Sequence, residues 1–393
     1  MRLLARLAAA TLLAVTPVAA GTASAAAPEP EPAPLVKAAN PVPGKYIVTL
    51  EKGQDAAKIA KKLGLKPSFV YTSAMTGFAV PLTSLELTLV RNSLGVKSVE
   101  EDASVQSVPM PSSLQGMRAP SDSWGQDRID QRNLPLDNNF TTDGSGAGVT
   151  AYILDTGIDY EHTEFGGRAT FGFDAIGDGQ NGADCNGHGT HVAGTVAGKT
   201  YGVASKANLV SVRVLGCDGT GTYSGMIAGF DWVAKNAKQP AVLNGSLGGD
   251  RSTTLNDAAT ALSDAGVLPV VAAGNSAKDA CNVSPASADR VFTVAASNQY
   301  DEETDFSNWG TCVELYAPGE AIVSAKLGGG SIALNGTSMA SPHAAGVAVL
   351  YKAAHPKAES GEIAEYLEGE STKDVLSKIS KSSPNALLFT NGL

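Results

Sequence analysis

The chain has 393 residues, a net charge of −10 and 43% hydrophobic residues, which leaves room for more than one domain and a sizeable core. The acidic balance, with no basic patch interleaved with aromatics, argues against a nucleic-acid partner and is compatible with a soluble exported protein. Its 43 glycines exceed the usual share of about 7% and point to a fold rich in tight turns.

Arg2 and Arg6 give the start a positive region, Leu7 to Ala20 an apolar stretch, and Ala23-Ser24-Ala25 a small-residue cleavage site. That is the pattern of a secretory signal over residues 1–25. The apolar run is too short to span a bilayer, and no other segment approaches that length. The mature protein is therefore expected to be secreted, extracellular, free of the membrane and monomeric. Export also makes disulfides permissible.

Residues 26–43 are rich in Pro, Ala and Glu and read as a disordered or extended linker. Residues 44–108 read as a compact unit. Tyr46–Leu50 is predicted as a strand, Asp55–Leu63 as a helix, and Phe69–Ser73 with Gly77–Pro81 as a hairpin. Leu85–Leu94 follows as a second helix and Val96–Glu100 as a last strand, giving the order βαββαβ of a small α+β, ferredoxin-like domain. Residues 109–122 connect it to a larger unit, 123–393.

In the larger unit the apolar runs Val149–Leu154, Asn208–Val214, Ala241–Asn244, Val267–Ala272 and Val291–Ala295 are β-rich. They read as central parallel strands buried on both faces. Thr222–Lys238 carries Met226, Ile227, Phe230 and Val233 on one helical face and reads as a crossover helix. The predicted fold is a doubly wound, mostly parallel α/β domain. Asp155 and Asn275 fall just past strand carboxyl ends, where open α/β sheets place their sites.

Four short motifs carry chemistry. Asp155 closes an apolar strand before Thr156-Gly157, and His188 opens a small-residue helix after Asn186-Gly187. Asn275 follows Ala272-Ala273-Gly274. Ser338 lies in Asn335-Gly336-Thr337-Ser338-Met339-Ala340-Ser341-Pro342-His343, ahead of a run of small residues that reads as a buried helix. With Pro342 placed in the first turn, Ser338 sits at a helix N-terminus, where free N–H groups favour developing negative charge. Singly, each is more often a cap or a turn former than a catalytic group; jointly, in this order, they are not.

Rival motifs fail. A lipase or esterase requires Gly-x-Ser-x-Gly and the order Ser, acid, His, whereas Ala340 holds the second glycine position here and the order is reversed. His188-Gly189-Thr190-His191 lacks the spacing and the glutamate of a zinc protease. The glycosylation sequons at Asn244 and Asn335 fall within the proposed site. The four cysteines, Cys185, Cys217, Cys281 and Cys312, admit three pairings and contain no zinc-like C-x₂-C spacing.

The order Asp155, His188, Asn275, Ser338 closely resembles the subtilisin-like serine proteases, and among them the proteinase K and aqualysin branch. The resemblance runs from about Trp124 to the C-terminus, and the unit at 44–108 resembles the inhibitory propeptide of these enzymes. It implies a secreted endopeptidase made as a self-processing zymogen, acting on proteins and peptides, with its own propeptide as chaperone and inhibitor.

Ser338 is then the nucleophile, His188 the base, Asp155 the orienting acid, and Asn275 an oxyanion donor beside the Ser338 N–H. Gly219, Gly221, Thr222 and Tyr223 match one substrate-flanking segment, and Ser246, Leu247 and Gly248 the other. An extended peptide adds between such edges as a strand, read mainly through its backbone. Ala272, Ala273 and Gly274 would form a small apolar floor for aromatic or aliphatic P1 side chains.

The resemblance pairs the cysteines sequentially, Cys185 with Cys217 and Cys281 with Cys312. It also implies structural calcium at Asp127, Asp130, Gln131, Asp137 and Asn139, a cluster that alone reads as a solvated polar turn. A second calcium site is implied at Glu314 with backbone oxygens near Asp289 and Val291. His191 and His343 are expected to be structural.

Overall fold

The structure, a computed structural model, describes residues 31–107 and 124–393. The expected signal sequence and the whole connecting segment 109–122 lie outside the described residues.

The first unit consists of β1 (Pro41–Leu50), α1 (Ala56–Lys62), β2 (Phe69–Tyr71), β3 (Gly77–Pro81), α2 (Ser84–Arg91) and β4 (Val96–Ser107). Its strands pair antiparallel in the order β4-β1-β3-β2. Both helices start at sequence-encoded caps. The Asp55 carboxylate accepts from the Lys58 N–H, and Thr83 with Glu86 forms a reciprocal capping box. The segment read as a linker joins the sheet: Leu35–Val36 pairs in parallel with β4, and β1 begins at Pro41.

The larger unit begins with α3 (Trp124–Ile129) and continues through β5 (Thr150–Asp155), β6 (Ala169–Asp174), α4 (His188–Ala197), β7 (Asn208–Arg213) and β8 (Thr220–Thr222). Next come α5 (Tyr223–Asn236), β9 (Ala241–Gly245), β10 (Leu247–Asp250), α6 (Thr253–Asp264), β11 (Leu268–Ala272), β12 (Phe292–Ser297) and β13 (Leu315–Pro318). A hairpin of β14 (Ile322–Ala325) and β15 (Ser331–Leu334) precedes α7 (Thr337–Ala354) and α8 (Ser360–Glu370).

Seven strands run parallel in the order β13-β12-β11-β9-β5-β7-β6. Ala386–Leu387 extends the sheet beyond β13, and Thr372–Lys373 closes it antiparallel.

Alternation along the buried strands feeds two cores. Ala151, Ile153, Val242 and Val270 pack with Val192 and Val196 of α4 and with Val347 of α7. Tyr152, Leu154, Leu243 and Val271 face Met226 and Phe230 of α5 and Leu255 and Leu262 of α6. A sheet covered on both faces explains why its strands read as continuous apolar runs. From β5 the chain goes to β7 and β6 on one side and β9 onward on the other. The switch point therefore lies at the carboxyl ends of β5 and β9, where such folds open a crevice.

The first unit divides its residues the same way. Val48, Phe78 and Val80 pack against α1 and α2, whereas Ile47 and Ala79 join the core formed with α5 and α6.

Candidate active site

Strand β5 delivers Asp155, wholly buried, to the crevice. The turn behind it needs Gly157, whose φ is +116° and where a Cβ would stand 2.7 Å from the backbone of Ala183 and Asp184. That close approach brings in the loop leading to α4, whose first residue is His188. His188 Nδ1 donates to Asp155 Oδ1 at 2.7 Å, and the Thr156 N–H donates to the same oxygen at 2.7 Å. Burial alone would lower the His188 pKa. The charge and hydrogen bond of Asp155, with the further charge of Asp184, outweigh it and hold the imidazole above its ordinary value.

Helix α7 delivers Ser338 as its second residue, 1% exposed. Gly336 caps that helix with φ +146°, and a Cβ there would lie 2.8 Å from Asn275 Nδ2. The Ser338 hydroxyl donates to the Ser246 carbonyl at 3.0 Å. His188 Nε2 is buried and has no hydrogen-bond partner among the described residues.

Pro342 lies inside α7, at its sixth position rather than in its first turn. A proline there removes the hydrogen bond to the carbonyl four residues back, that of Ser338. The Ser246 hydroxyl supplies it instead at 2.9 Å. Ser246 is itself held by Asn244, whose carbonyl oxygen takes the Ser341 hydroxyl. The sequon asparagines Asn244 and Asn335 are buried.

Past β11, Asn275 accepts the Thr337 N–H and hydroxyl on Oδ1, each at 2.8 Å, which makes Nδ2 the donor end of the amide. Asn308 shapes the same loop. Its Oδ1 accepts from the Ser276 and Lys278 N–H groups, and its Nδ2 donates to the Ala273 carbonyl. Sequence reasoning missed Asn308; its only signal is a polar side chain in Phe306-Ser307-Asn308-Trp309-Gly310.

The crevice between β8 and β10 is filled by the chain's own β4. Ser104, Val105 and Gln106 pair antiparallel with Thr222, Gly221 and Thr220. On the other side Gln106 and Ser107 pair with Gly248 and Leu247, and the Ser107 N–H donates to the Gly219 carbonyl at 2.8 Å. Beside this strand lies a cavity of about 340 Å³ lined by Ala272, Gly274, Asn275 and Gly248.

Residues 146–390 match the Subtilase family. The chain belongs to that family. An extracellular serine proteinase of Thermus sp. (strain Rt41A) is 42% identical over 91% of this chain and 92% of its own. That likeness extends well upstream of residue 146. An alkaline serine exoprotease A of Vibrio alginolyticus is 45% identical over 76% of this chain and 55% of its own. The crystal structure of a cold-adapted subtilisin-like serine proteinase superposes with a TM-score of 0.67 at 48% identity, covering 69% of this chain and 99% of that one. This subtilase is thus an extracellular subtilisin-like serine protease, with the α/β fold expected. Among its described residues no helix is long and apolar enough to cross a membrane.

The subtilase forms both sequential disulfides, Cys185–Cys217 and Cys281–Cys312. Each closes a loop of 32 or 31 residues, worth about 3–4 kcal/mol in the loop-entropy account. His191 and His343 are buried and neutral near pH 7: burial lowers them to about 3 and about 4. His191 Nε2 lies 3.0 Å from the Ile322 carbonyl, and His343 Nδ1 lies 2.8 Å from that of Met339.

Three expected substrate residues lie beneath the cleft. Tyr223 is buried and donates to the Asp250 carbonyl at 2.6 Å, bracing the two edges from below. Ala273 is wholly buried and packs with Ala280, Val313 and Tyr316. Ser246 supports Ser338 as described above.

Among the described residues no group of three or more His, Cys, Asp or Glu side chains forms a metal-sized cluster. The expected calcium ligands form two sets. Asp127 and Asp130 are pushed up by burial and by the nearby Asp137 charge, a carboxylate crowding that suits a hard cation. Their oxygens accept from the N–H groups of Asp137, Asn138 and Thr141, and the Asn139 N–H donates to Asp137. Gln131 Oε1 accepts the Asp137 N–H at 3.2 Å. At the second set burial likewise raises Glu314, to about 8; its carboxyl accepts from the Thr293 N–H, and the Asp289 carbonyl takes the Thr260 hydroxyl.

Proposed function

We propose that the subtilase hydrolyses peptide bonds with Ser338 as nucleophile, His188 as general base and Asp155 as orienting acid. The observation that carries this is the buried Asp155–His188 hydrogen bond, which fixes the proton on Nδ1 and leaves Nε2 as acceptor. The Ser338 hydroxyl turns from the Ser246 carbonyl to that nitrogen as substrate engages. Its oxygen bonds to the scissile carbonyl carbon while its proton passes to Nε2. His188 then gives the proton to the leaving amine as the C–N bond breaks, and water repeats the cycle to release the acid. Asn275 Nδ2 and the Ser338 N–H receive the developing oxyanion.

Substrate enters as Ser104–Ser107 does, paired by backbone on both edges, which accounts for broad specificity. The cavity floor of Ala272 and Gly274 accepts aromatic or aliphatic P1 side chains. Residues 44–108 act as the enzyme's own inhibitor and folding template. Three carboxylates support that reading. Glu100 and Asp102 accept from the first turns of α6 and α5, at Thr254 and Ser224. Asp231 accepts from three successive N–H groups, those of Thr72, Ser73 and Ala74. Such anion–amide contacts tie the two units together without any cation. Asp127, Asp130, Asp137 and Gln131 would hold a structural calcium, which would stabilise the loop and take no part in the chemistry.

The test joins maturation to cleavage. Ser338→Ala should persist as an unprocessed precursor with residues 44–108 attached, and should lose peptidase turnover by roughly 10⁶, the figure for the same knockout in subtilisin, a member of this family. The wild-type enzyme should cut a mixed peptide library after apolar and aromatic residues. Normal processing of Ser338→Ala in the absence of another protease would refute self-cleavage.

A further inference from the structure

Asp184 is a buried carboxylate, 8% exposed, that neither the expected triad nor the cleft uses. Its Oδ1 accepts the Thr156 hydroxyl and the N–H groups of Asn186 and Gly187, each at 2.9 Å. Its Oδ2 accepts the Thr190 N–H at 2.9 Å and the Thr190 hydroxyl at 2.6 Å. Five donors thus converge on one side chain. They come from two separate places: the turn immediately after Asp155, and the loop and first turn of the helix that begins with His188. Thr156 completes the link, because its hydroxyl oxygen accepts the Gly189 N–H at 2.9 Å.

We propose that Asp184 is a positioning residue for the catalytic base: it ties the Asp155 turn to the start of α4 and so sets the distance and direction of the Asp155–His188 hydrogen bond. The proposal rests on the triad reading above. A carboxylate fully occupied by five donors is rigid, and charge-assisted hydrogen bonds are the strong kind. A shift of either partner by about 1 Å costs on the order of 10²-fold in rate, so a strut between the two turns acts on turnover rather than on substrate affinity. It also places a second negative charge near His188.

The charged and titratable groups around the imidazole are Asp155 at the end of β5, Asp184 on the preceding loop, and His191 one turn along α4. Asp159 donates its N–H to the Thr190 hydroxyl, and Arg213 donates to the Thr156 carbonyl. Arg213 is itself engaged by Asp174 and Asp178. His191 is neutral near pH 7, so the two acids nearest His188 favour its protonated form, the direction in which its pKa is displaced.

The test uses the mature enzyme and the pH profile of kcat/KM. His188 must be neutral to act as base, so activity rises as pH climbs through its pKa. In Asp184→Asn the acid limb should move to lower pH by about half a unit or more, and kcat above that limb should fall about tenfold with KM within twofold. Asp184→Glu, which keeps the charge on a longer arm, should lose turnover while its acid limb stays at the wild-type position. An acid limb in Asp184→Asn that coincides with that of the wild type would overturn the proposal.

If Asp184→Asn does not fold, Thr156→Val decides the matter: it keeps the charge and removes the strut, and full wild-type kcat in that variant overturns the proposal too. His188→Ala separates this outcome from failure of the triad reading, because that variant should be inactive whatever Asp184 does.

Discussion

At the residue scale, the groups proposed to react stand out in the sequence because each needs a short, unusual local pattern: an acid past a strand, a histidine after Asn-Gly, a serine after Asn-Gly-Thr. The residues that hold them do not. Asp184, Asn308 and Arg213 are polar side chains whose meaning comes from partners brought in by the fold, such as the Arg213 guanidinium near the Cys185–Cys217 bridge. Asn275 offers the sharpest residue-level prediction. Asn275→Ala should lower kcat by about 10²–10³ with KM nearly unchanged, the magnitude for the same donor in subtilisin. Steady-state kinetics on a peptide ester and amide would check it. A rise in KM with kcat intact would instead make Asn275 a ground-state binding residue.

At the element scale, hydrophobic runs located five of the seven parallel strands to within a residue or two, because burial on both faces leaves an uninterrupted apolar signature; β13, only four residues long and ending in Pro318, was missed. Edge strand β6 escaped notice: Phe171 is 53% exposed and Gly172 interrupts the run. Strand β4 was read as ending at Glu100 but continues to Ser107. Its extension, Glu101 to Ser107, has only Ala103 and Val105 as apolar residues; Glu101 and Ala103 pair with β1, and Ser104 to Ser107 pair with β8 and β10. Helix α7 starts ahead of the expected proline turn, since the Ser246 hydroxyl replaces the bond that Pro342 cannot give.

The loop between α3 and β5 carries the calcium prediction. Binding to the folded state alone contributes about 2.7 kcal/mol at a hundredfold excess over Kd. Calcium should therefore raise the heat-inactivation midpoint, and Asp127→Asn with Asp130→Asn should shrink that gain while leaving the initial rate at low temperature nearly unchanged. A double variant with the full calcium response would place the ion elsewhere.

At the scale of the whole molecule, one sheet separates two cores and sets the site at its carboxyl edge, while the first unit lies across α5 and α6 and threads its last strand into the cleft. The fold class was legible from strand and helix periodicity. The contacts that hold the first unit on α5 and α6 were not, because they involve Glu100, Asp102 and Asp231, three acids that look like ordinary surface charges in sequence. We propose Ser338 as the single group that this architecture makes nucleophilic. Labelling the mature enzyme with a serine-directed phosphonylating reagent, followed by peptide mapping, tests it most directly. One adduct, on the peptide containing Ser338, should form in step with the loss of peptidase activity. An adduct elsewhere, or full activity after Ser338 is labelled, would contradict the account.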